Sequence, residues 1–412
     1  MEHQEPLIEQ DNNTAGDNLT DEEISKAPTR SLNRLAGLSA GTYTEGGTPS
    51  IRGQRTRGTV YYIDGVRVRG SAALPQSAIS EIQTLTGGIP AEYGDATGGV
   101  ISIQTKGPSK EYHGGIDLIT SQYLDGYGYN LLEGNLTGPI ISKNKGTDSA
   151  EAKLGFLISA NISYQKDPNP SATDLWKVKD DVLSEIEEAP LRESQSGEGL
   201  LSKSAFVSKD QMEQIDARKN AENFGYNFTG KLDYHVNDDI NLTAGGQLGY
   251  NMSDNYVRQY SLFNYENNYR SVNNTYRGYV RYTQKFADEK EEDEDTEGLT
   301  VSNAFYNIQV DYTKNTSEFF NEAHGDDYFK YGHYGKYELY KTPSYVNRVD
   351  TINGRIEEAN YMTGFRDTAV NFNPASYNTT AGNYTKQFFN LSDNPIRTKD
   401  QIQGGGGLLN GD

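Results

Sequence analysis

The chain has no cysteine and a single tryptophan in 412 residues. No disulfide framework and no thiolate metal site can therefore be built. Basic residues are in short supply, 38 Lys and Arg against 58 Asp and Glu, which leaves a formal net charge of −20. Phosphate binding needs clustered Lys and Arg, so nucleic acid is excluded as a partner. Apolar residues make up only 34% of the chain, against roughly 45–50% in globular proteins on a count that also includes Gly. No run of about 18 apolar residues exists, so no membrane-spanning helix is available. The opening MEHQEPLIEQ lacks the basic and apolar regions of a signal peptide. Met1 reads equally as a start placed after a lost export signal, and the patterns further along favour that view.

Abundant glycine (43) and tyrosine (30) do not suit a leucine-rich helical core. They do suit a β-barrel in a membrane, where only one face of each strand must be apolar. Residues 1–110 are short-period and punctuated by glycine. Thr20 and Glu23 form a capping-box pattern ahead of DEEISK, Pro28 ends that helix, and SLNRLAGL (31–38) reads as a second one. IRGQ (51–54) reads as a short strand, and TVYYIDGVRV (59–68) as a hairpin. Asp64-Gly65 is its turn, because a two-residue type I′ turn needs positive φ at both central positions. LPQSAISEI (74–82), with Pro near its start, reads as a helix, and IQTLTGG and GGVISIQTK return to strand. Gly98 and Gly99 are expected where the last strand approaches its neighbour closely.

From about residue 112 the grammar changes to ten-residue segments that alternate apolar and polar. Phe224, Tyr226, Phe228, Leu232 and Tyr234 oppose Asn227, Thr229, Lys231, Asp233 and His235. The same alternation runs through 154–164 and 304–312, and more weakly through 113–120, 128–138, 240–250 and 276–286. A soluble sandwich would alternate too. Aromatic residues near strand ends and connections that alternate short and long point instead to an outer-membrane barrel. The long connection 166–222 holds the helix-like DLWKVKDDVLSEIEE; ADEKEEDEDTE (287–297) reads as a solvated acidic loop tip. After residue 314 no clean strand pattern is visible, and 315–412 reads as a loop-rich barrel segment or truncated tail.

PTRSLNRLAGLSAGTYTEGGTPSIRG, TVYYIDGVRV and AEYGDATGGVISIQTKG, in that order, resemble the plug domain of TonB-dependent outer-membrane receptors of the Bacteroidetes type, Oar-like and related to the SusC group. The resemblance implies an α+β plug over residues 1–110, the first antiparallel strands of a transmembrane β-barrel over 111–314, and an incomplete barrel, the N-terminal part of a longer receptor. It implies import of a scarce nutrient through a plugged barrel, driven by the TonB complex, with no enzymatic activity and no cofactor. The partners implied are that complex, outer-membrane lipid, an extracellular nutrient ligand and a surface lipoprotein lid. The location implied is the outer membrane. The plug's last motif reads AEYGDATGGVISIQTK rather than the YGSRGANGVILITTK of SusC-like glycan importers, so a glycan substrate and the lid stay open. No TonB box is recognisable ahead of residue 20. Arg52 matches a plug arginine that pairs with barrel-wall carboxylates, and Ile51, Gly53, Asp64, Gly65, Gly98 and Gly99 fall in the plug motifs. Such a plug is expected to have little apolar core and to be held by exchangeable polar contacts.

Other patterns carry less. Gly37-Leu38-Ser39-Ala40-Gly41 fits the hydrolase nucleophile elbow, but that elbow needs a strand before it and a helix after it. HGDDYFKYGH (324–333) gathers carboxylates and imidazoles without a known metal-ligand spacing, so no metal is expected. GGGG (404–407) has no following Lys-Ser or Lys-Thr and is no P-loop. Tyr328, Tyr331, Tyr334, Tyr337 and Tyr340 crowd one polar stretch, as a ligand-binding surface or as ordinary packing. Beside transport, the pattern leaves open a binding or structural outer-membrane protein, an adhesin or secretion component, and more remotely an extracellular hydrolase.

Overall fold

The computed structural model describes residues 15–45, 47–55, 58–68, 74–90, 93–94, 96, 98–107, 109, 111–143, 151–194, 200–237, 239–286 and 304–390. The acidic run 287–297 and the GGGG stretch lie outside them. The described residues group into two compact units, one within 1–170, 221–255 and 270–319, the other within 171–220, 256–269 and 320–412.

The first unit opens with β1 (Ala15–Thr20), α1 (Asp21–Lys26), α2 (Leu32–Ala36), β2 (Thr42–Glu45), β3 (Thr48–Ile51), β4 (Thr59–Ile63), β5 (Val66–Arg67), β6 (Ile79–Gly87) and β7 (Gly99–Thr105). These build a five-stranded sheet in the order β1-β6-β7-β4-β5 and a separate β2–β3 pair. Strand β4 runs parallel to β7, and the other pairings of the sheet are antiparallel. Thr20 caps α1 through the full capping box with Glu23. The turn between β4 and β5 has φ of 48° at Asp64 and 74° at Gly65, as a type I′ turn requires.

Two expectations for this domain need correction. Pro75 does not open a helix: a single 3₁₀ turn, Gln76–Ala78, leads straight into β6. The β-branched Ile79, Ile82 and Thr84 are all fully buried there, and β6 is paired on both sides by β1 and β7. That tertiary pairing overrides the helix-start signal. IRGQ is not a strand either, because β3 ends at Ile51 and the chain turns at once, with φ of 51° at Arg52 and 71° at Gly53. The expected scarcity of apolar core is also overturned. Ile24, Leu35, Ile51, Ile82, Ile101 and Ile103 belong to one fully enclosed cluster between the helices and the sheet. A smaller cluster of Tyr62, Leu85 and Val100 packs with Tyr93.

Next come β8 (His113–Thr120), β9 (Asn130–Lys143) and β10 (Glu151–Gln165). After an insertion, β15 (Asn223–His235), β16 (Ile240–Asn255), β17 (Tyr269–Lys285) and β18 (Phe305–Phe320) follow. These seven strands make one sheet in the order β18-β17-β16-β15-β10-β9-β8. Each coincides with one of the seven alternating segments in the sequence. On the even-numbered face apolar side chains stand open: Ile116, Leu132, Ile158, Phe228, Leu248, Val280 and Val310, one from each strand, are all exposed. The odd-numbered face holds Glu133, Ser159, Thr229, Lys231, Gln247 and Arg277, all buried. No helix among the described residues is long and apolar enough to cross a membrane, which says nothing of strands.

The second unit contains the insertion, with β11 (Leu175–Val178), α3 (Asp180–Glu188), β12 (Leu191–Glu193), β13 (Leu200–Ser202) and β14 (Met212–Ile215). The helix-like patch is thus half strand, because residues 175–178 pair with 212–215. This unit also contains β19 (Gly335–Ile352), β20 (Arg355–Pro374) and α4 (Thr379–Asn390). After 314, where the sequence shows no clean strand pattern, β19 and β20 form a long hairpin. Its turn is Asn353-Gly354, with φ of 54° and 79°, a sequence-visible type I′ signal.

Candidate functional site

The N-terminal domain meets the odd-numbered face of the seven-stranded sheet through polar groups at two places. At the first, Arg30, in the link between the two helices, places Nη1 3.2 Å from Asp117 Oδ2 and 3.9 Å from Glu133 Oε1. Glu133 is 2% exposed and accepts the Ser77 backbone N–H at 2.7 Å. The Ser77 and Ser159 hydroxyls lie 3.2 Å apart. Ser77 sits in the 3₁₀ turn that replaces the expected helix, so that turn is what presents its N–H to the wall.

At the second place the β4–β5 turn takes part. Asp64 Oδ1 accepts the Thr105 N–H at 2.9 Å, and Oδ2 accepts the hydroxyls of Thr105 at 2.7 Å and of Tyr279, on β17, at 2.8 Å. Lys231 Nζ, on β15, donates to the Thr105 carbonyl at 3.1 Å and stands 3.9 Å from Asp233. A Cβ on Gly65 would come within 2.8 Å of Arg281 Nη2, so this glycine serves both the positive φ and the close approach of the wall. Asp64 was expected only to shape its turn; its carboxylate also joins domain to wall.

The other anticipated residues divide. Arg52 is exposed, and its guanidinium reaches Thr86 Oγ1 at 3.5 Å, within its own domain. No carboxylate among the described residues pairs with it. Ile51 is fully buried. A Cβ on Gly99 would stand 2.8 Å from Ile51 Cγ2 and 2.9 Å from the Leu85 carbonyl, and one on Gly98 3.0 Å from the Gly58 carbonyl. Ser39 of the G-x-S-x-G pattern is buried and donates to Thr84 Oγ1 at 3.0 Å. In the second unit Tyr328 is 79% exposed. Tyr331 accepts from the Asn321 N–H and donates to the Gly325 carbonyl, each at 2.9 Å. Tyr334 and Tyr337 pack against Phe372. His324 Nε2 meets Asn378 Oδ1 at 2.8 Å, and no group of three or more metal-ligating side chains occurs among the described residues.

Arg30, Ser77, Glu133 and Tyr279 were missed. For Glu133 a signal existed, since a charge on the wet face of a strand otherwise lined by neutral groups needs a partner. Nothing local marks Arg30 or Ser77.

Within the small domain, burial of the Tyr61 hydroxyl pushes its pKa up, and that hydroxyl donates to Asn33 Oδ1 at 2.7 Å. In α1 the hydrogen bond and charge of Lys26 hold Glu22 below the usual carboxylate value, and the Thr20 N–H and hydroxyl do the same for Glu23.

A small mixed sheet with its own core, seated by polar contacts on the inner face of an antiparallel sheet, is the arrangement to compare. Residues 9–100 match the TonB-dependent receptor plug domain. The chain is also 26% identical over 257 residues to the TonB-dependent transporter Oar of Myxococcus xanthus, covering 58% of this chain and 24% of that protein. Among solved structures it is similar to the ferric enterobactin receptor PfeA of Pseudomonas aeruginosa, with a TM-score of 0.43 at 15% identity over 81% of this chain and 48% of the receptor. It is similar, too, to the siderophore receptor PirA of the same organism, with a TM-score of 0.44 at 15% identity over 88% of this chain and 49% of the receptor. The chain thus spans about a quarter of the curated relative and about half of each of these receptors. Its plug domain is followed by an antiparallel sheet of seven strands.

Proposed function

We propose that the chain is the plug and first wall strands of an outer-membrane receptor that imports a nutrient, energised by the TonB complex, with the plug as the moving part. Outer-membrane lipid would cover the open apolar face of the sheet. The Bacteroidetes placement, a lipoprotein lid and the pairing of Arg52 with carboxylates of further wall strands belong to the same proposal. One observation carries it: the plug is apolar inside and polar where it meets the wall. Polar contacts exchange for water at a net cost of about 0.5–1.5 kcal/mol each, whereas an apolar interface would resist separation in proportion to its area. The plug can therefore leave the wall without unfolding.

The absence of cysteine makes a direct test available. Ser77→Cys with Ser159→Cys places two thiols where hydroxyls now lie 3.2 Å apart. In cells carrying the full gene, labelled nutrient uptake that depends on the gene is expected to stop when this pair is oxidised and to return on reduction. Collapse of the proton gradient is expected to stop it as well. Gene-dependent uptake that survives that collapse would exclude energised import and favour a binding protein with a receptor-like plug.

A further inference from the structure

Where the β4–β5 turn of the plug meets strands β15, β16 and β17 lies a small cavity of about 20 Å³. Roughly 10–15 Å³ admits one water-sized guest, so this cavity takes a single small species and nothing larger. The plug contributes Asp64 and Thr105 to its lining, with Ile63 and Leu74 as apolar cover. The wall contributes Thr229, Lys231 and Arg277, all from the odd-numbered, wet face of the sheet.

Arg277 and Thr229 are each only 6% exposed. Arg277 Nη1 donates to Gln247 Oε1 at 2.8 Å. Its Nε and Nη2, and the Thr229 hydroxyl, are buried without a hydrogen-bond partner among the described residues. Folded proteins leave few buried polar groups unpaired, and a charged one is the most costly of all. Nor does Arg277 form an ion pair with any carboxylate among the described residues. Asp311, on β18, acts on it through its field alone and is itself exposed. The Asp64 oxygens are turned to Thr105 and Tyr279, and Asp233 stands 3.9 Å from Lys231. The described lining therefore holds two cations, Lys231 and Arg277, against one carboxylate, Asp64.

We propose that this cavity is a halide site, at which one chloride ion bridges the plug and the wall. The groups without a partner can all donate, N–H from Arg277 and O–H from Thr229. Donors around a small space, one of them a guanidinium, are best satisfied by an anion. A water would accept from them, but its own hydrogens would need acceptors, and the guanidinium charge would stay uncompensated. Phosphate, sulfate and carboxylates are too large for the space, and the two cations of the lining repel a metal ion. The lining comes from both domains, so the ion is held only while the plug is seated. By linkage, whatever free energy the ion gains on binding also stabilises the seated plug.

The inference needs only the contact of plug and wall, so its failure and the failure of energised uptake are separate outcomes. The test uses the receptor encoded by the full gene, purified in detergent. Thermal melts are run in sodium chloride and in sodium bromide, against sodium gluconate at matched ionic strength so that general screening is equal. The melting temperature in either halide is expected to exceed that in gluconate, by a margin that grows with the logarithm of halide concentration once the site is filled. Arg277→Gln should abolish that margin. Thr229→Val, which removes only the hydroxyl, should raise the half-saturating halide concentration about tenfold, the loss of about one good hydrogen bond. Crystals of the wild-type receptor grown in bromide decide the matter even where Arg277→Gln does not fold: an anomalous peak is expected beside Arg277 Nη2 and Thr229 Oγ1. Equal melting in halide and gluconate, an undiminished halide margin in both variants, or a cavity without bromide would overturn the proposal. A bromide peak with no halide margin in the melts would mark an adventitious ion only, and would overturn it as well.

Discussion

Asp64 holds a φ of 48°, a left-handed conformation that costs a non-glycine residue roughly 1–2 kcal/mol. Its carboxylate recovers that cost by accepting three hydrogen bonds, two from Thr105 and one from Tyr279. Glycine at this position would relieve the backbone and lose all three. With neutral bonds worth about 0.5–1.5 kcal/mol net and charged ones more, Asp64→Gly is expected to lower stability despite the relief, and Asp64→Asn, which keeps an acceptor and tolerates the turn, to lower it less. Thermal melts of the two variants check this; a Gly variant as stable as wild type would mean that the carboxylate does not seat the turn on the wall. The turn itself was legible in Asp-Gly. Its second role was not, because Tyr279 is 215 residues away and no local pattern can bring such partners together.

At the scale of elements, legibility followed how much of each element's stability is local. The Thr20–Glu23 box fixed the start of α1, and both reciprocal contacts form, the Glu23 carboxylate accepting the Thr20 N–H at 2.9 Å. Thr20→Ala is expected to cost about 1 kcal/mol, read as faster amide exchange across residues 21–26. The folded-state pKa of Glu22 and of Glu23 lies below the ordinary 4.5. Each therefore stabilises the helix above that value and stops doing so as pH falls through the lowered folded-state value. After correction for intrinsic exchange, protection of α1 should drop below about pH 4.5 in the wild type and much less in Glu23→Gln. Identical profiles would remove the capping box from the account. Strand β6 shows the opposite case. Its beginning carries a helix-start proline, and only pairing with β1 and β7 makes it extended. The β19–β20 hairpin was missed for a third reason. Its strands have no apolar face to give alternation, and the Asn353-Gly354 signal stood alone.

For the molecule as a whole, the seven strands were legible because one physical demand repeats in each of them, an apolar side and a wet side. What that wet side meets was not legible, since plug contacts such as Arg30 with Asp117 and Ser77 with Glu133 join residues 87 and 56 positions apart. These contacts suggest that plug seating and plug folding are separable. The core of the plug is enclosed by its own helices and sheet, whereas the seat is a short set of polar bonds, so the two should open with different free energies. Glu133→Ala would leave the Ser77 N–H without its buried acceptor, a loss of about 1–3 kcal/mol, and would take a charge partner from Arg30. Amide exchange at Ser77 should then accelerate by one to two orders of magnitude, roughly that energy converted at 1.4 kcal/mol per factor of ten. The amides of β7 at Val100, Ile101 and Ile103 should keep their wild-type rates. If β7 accelerates together with Ser77, the plug and its seat are one cooperative unit, and a plug that leaves the wall intact is ruled out.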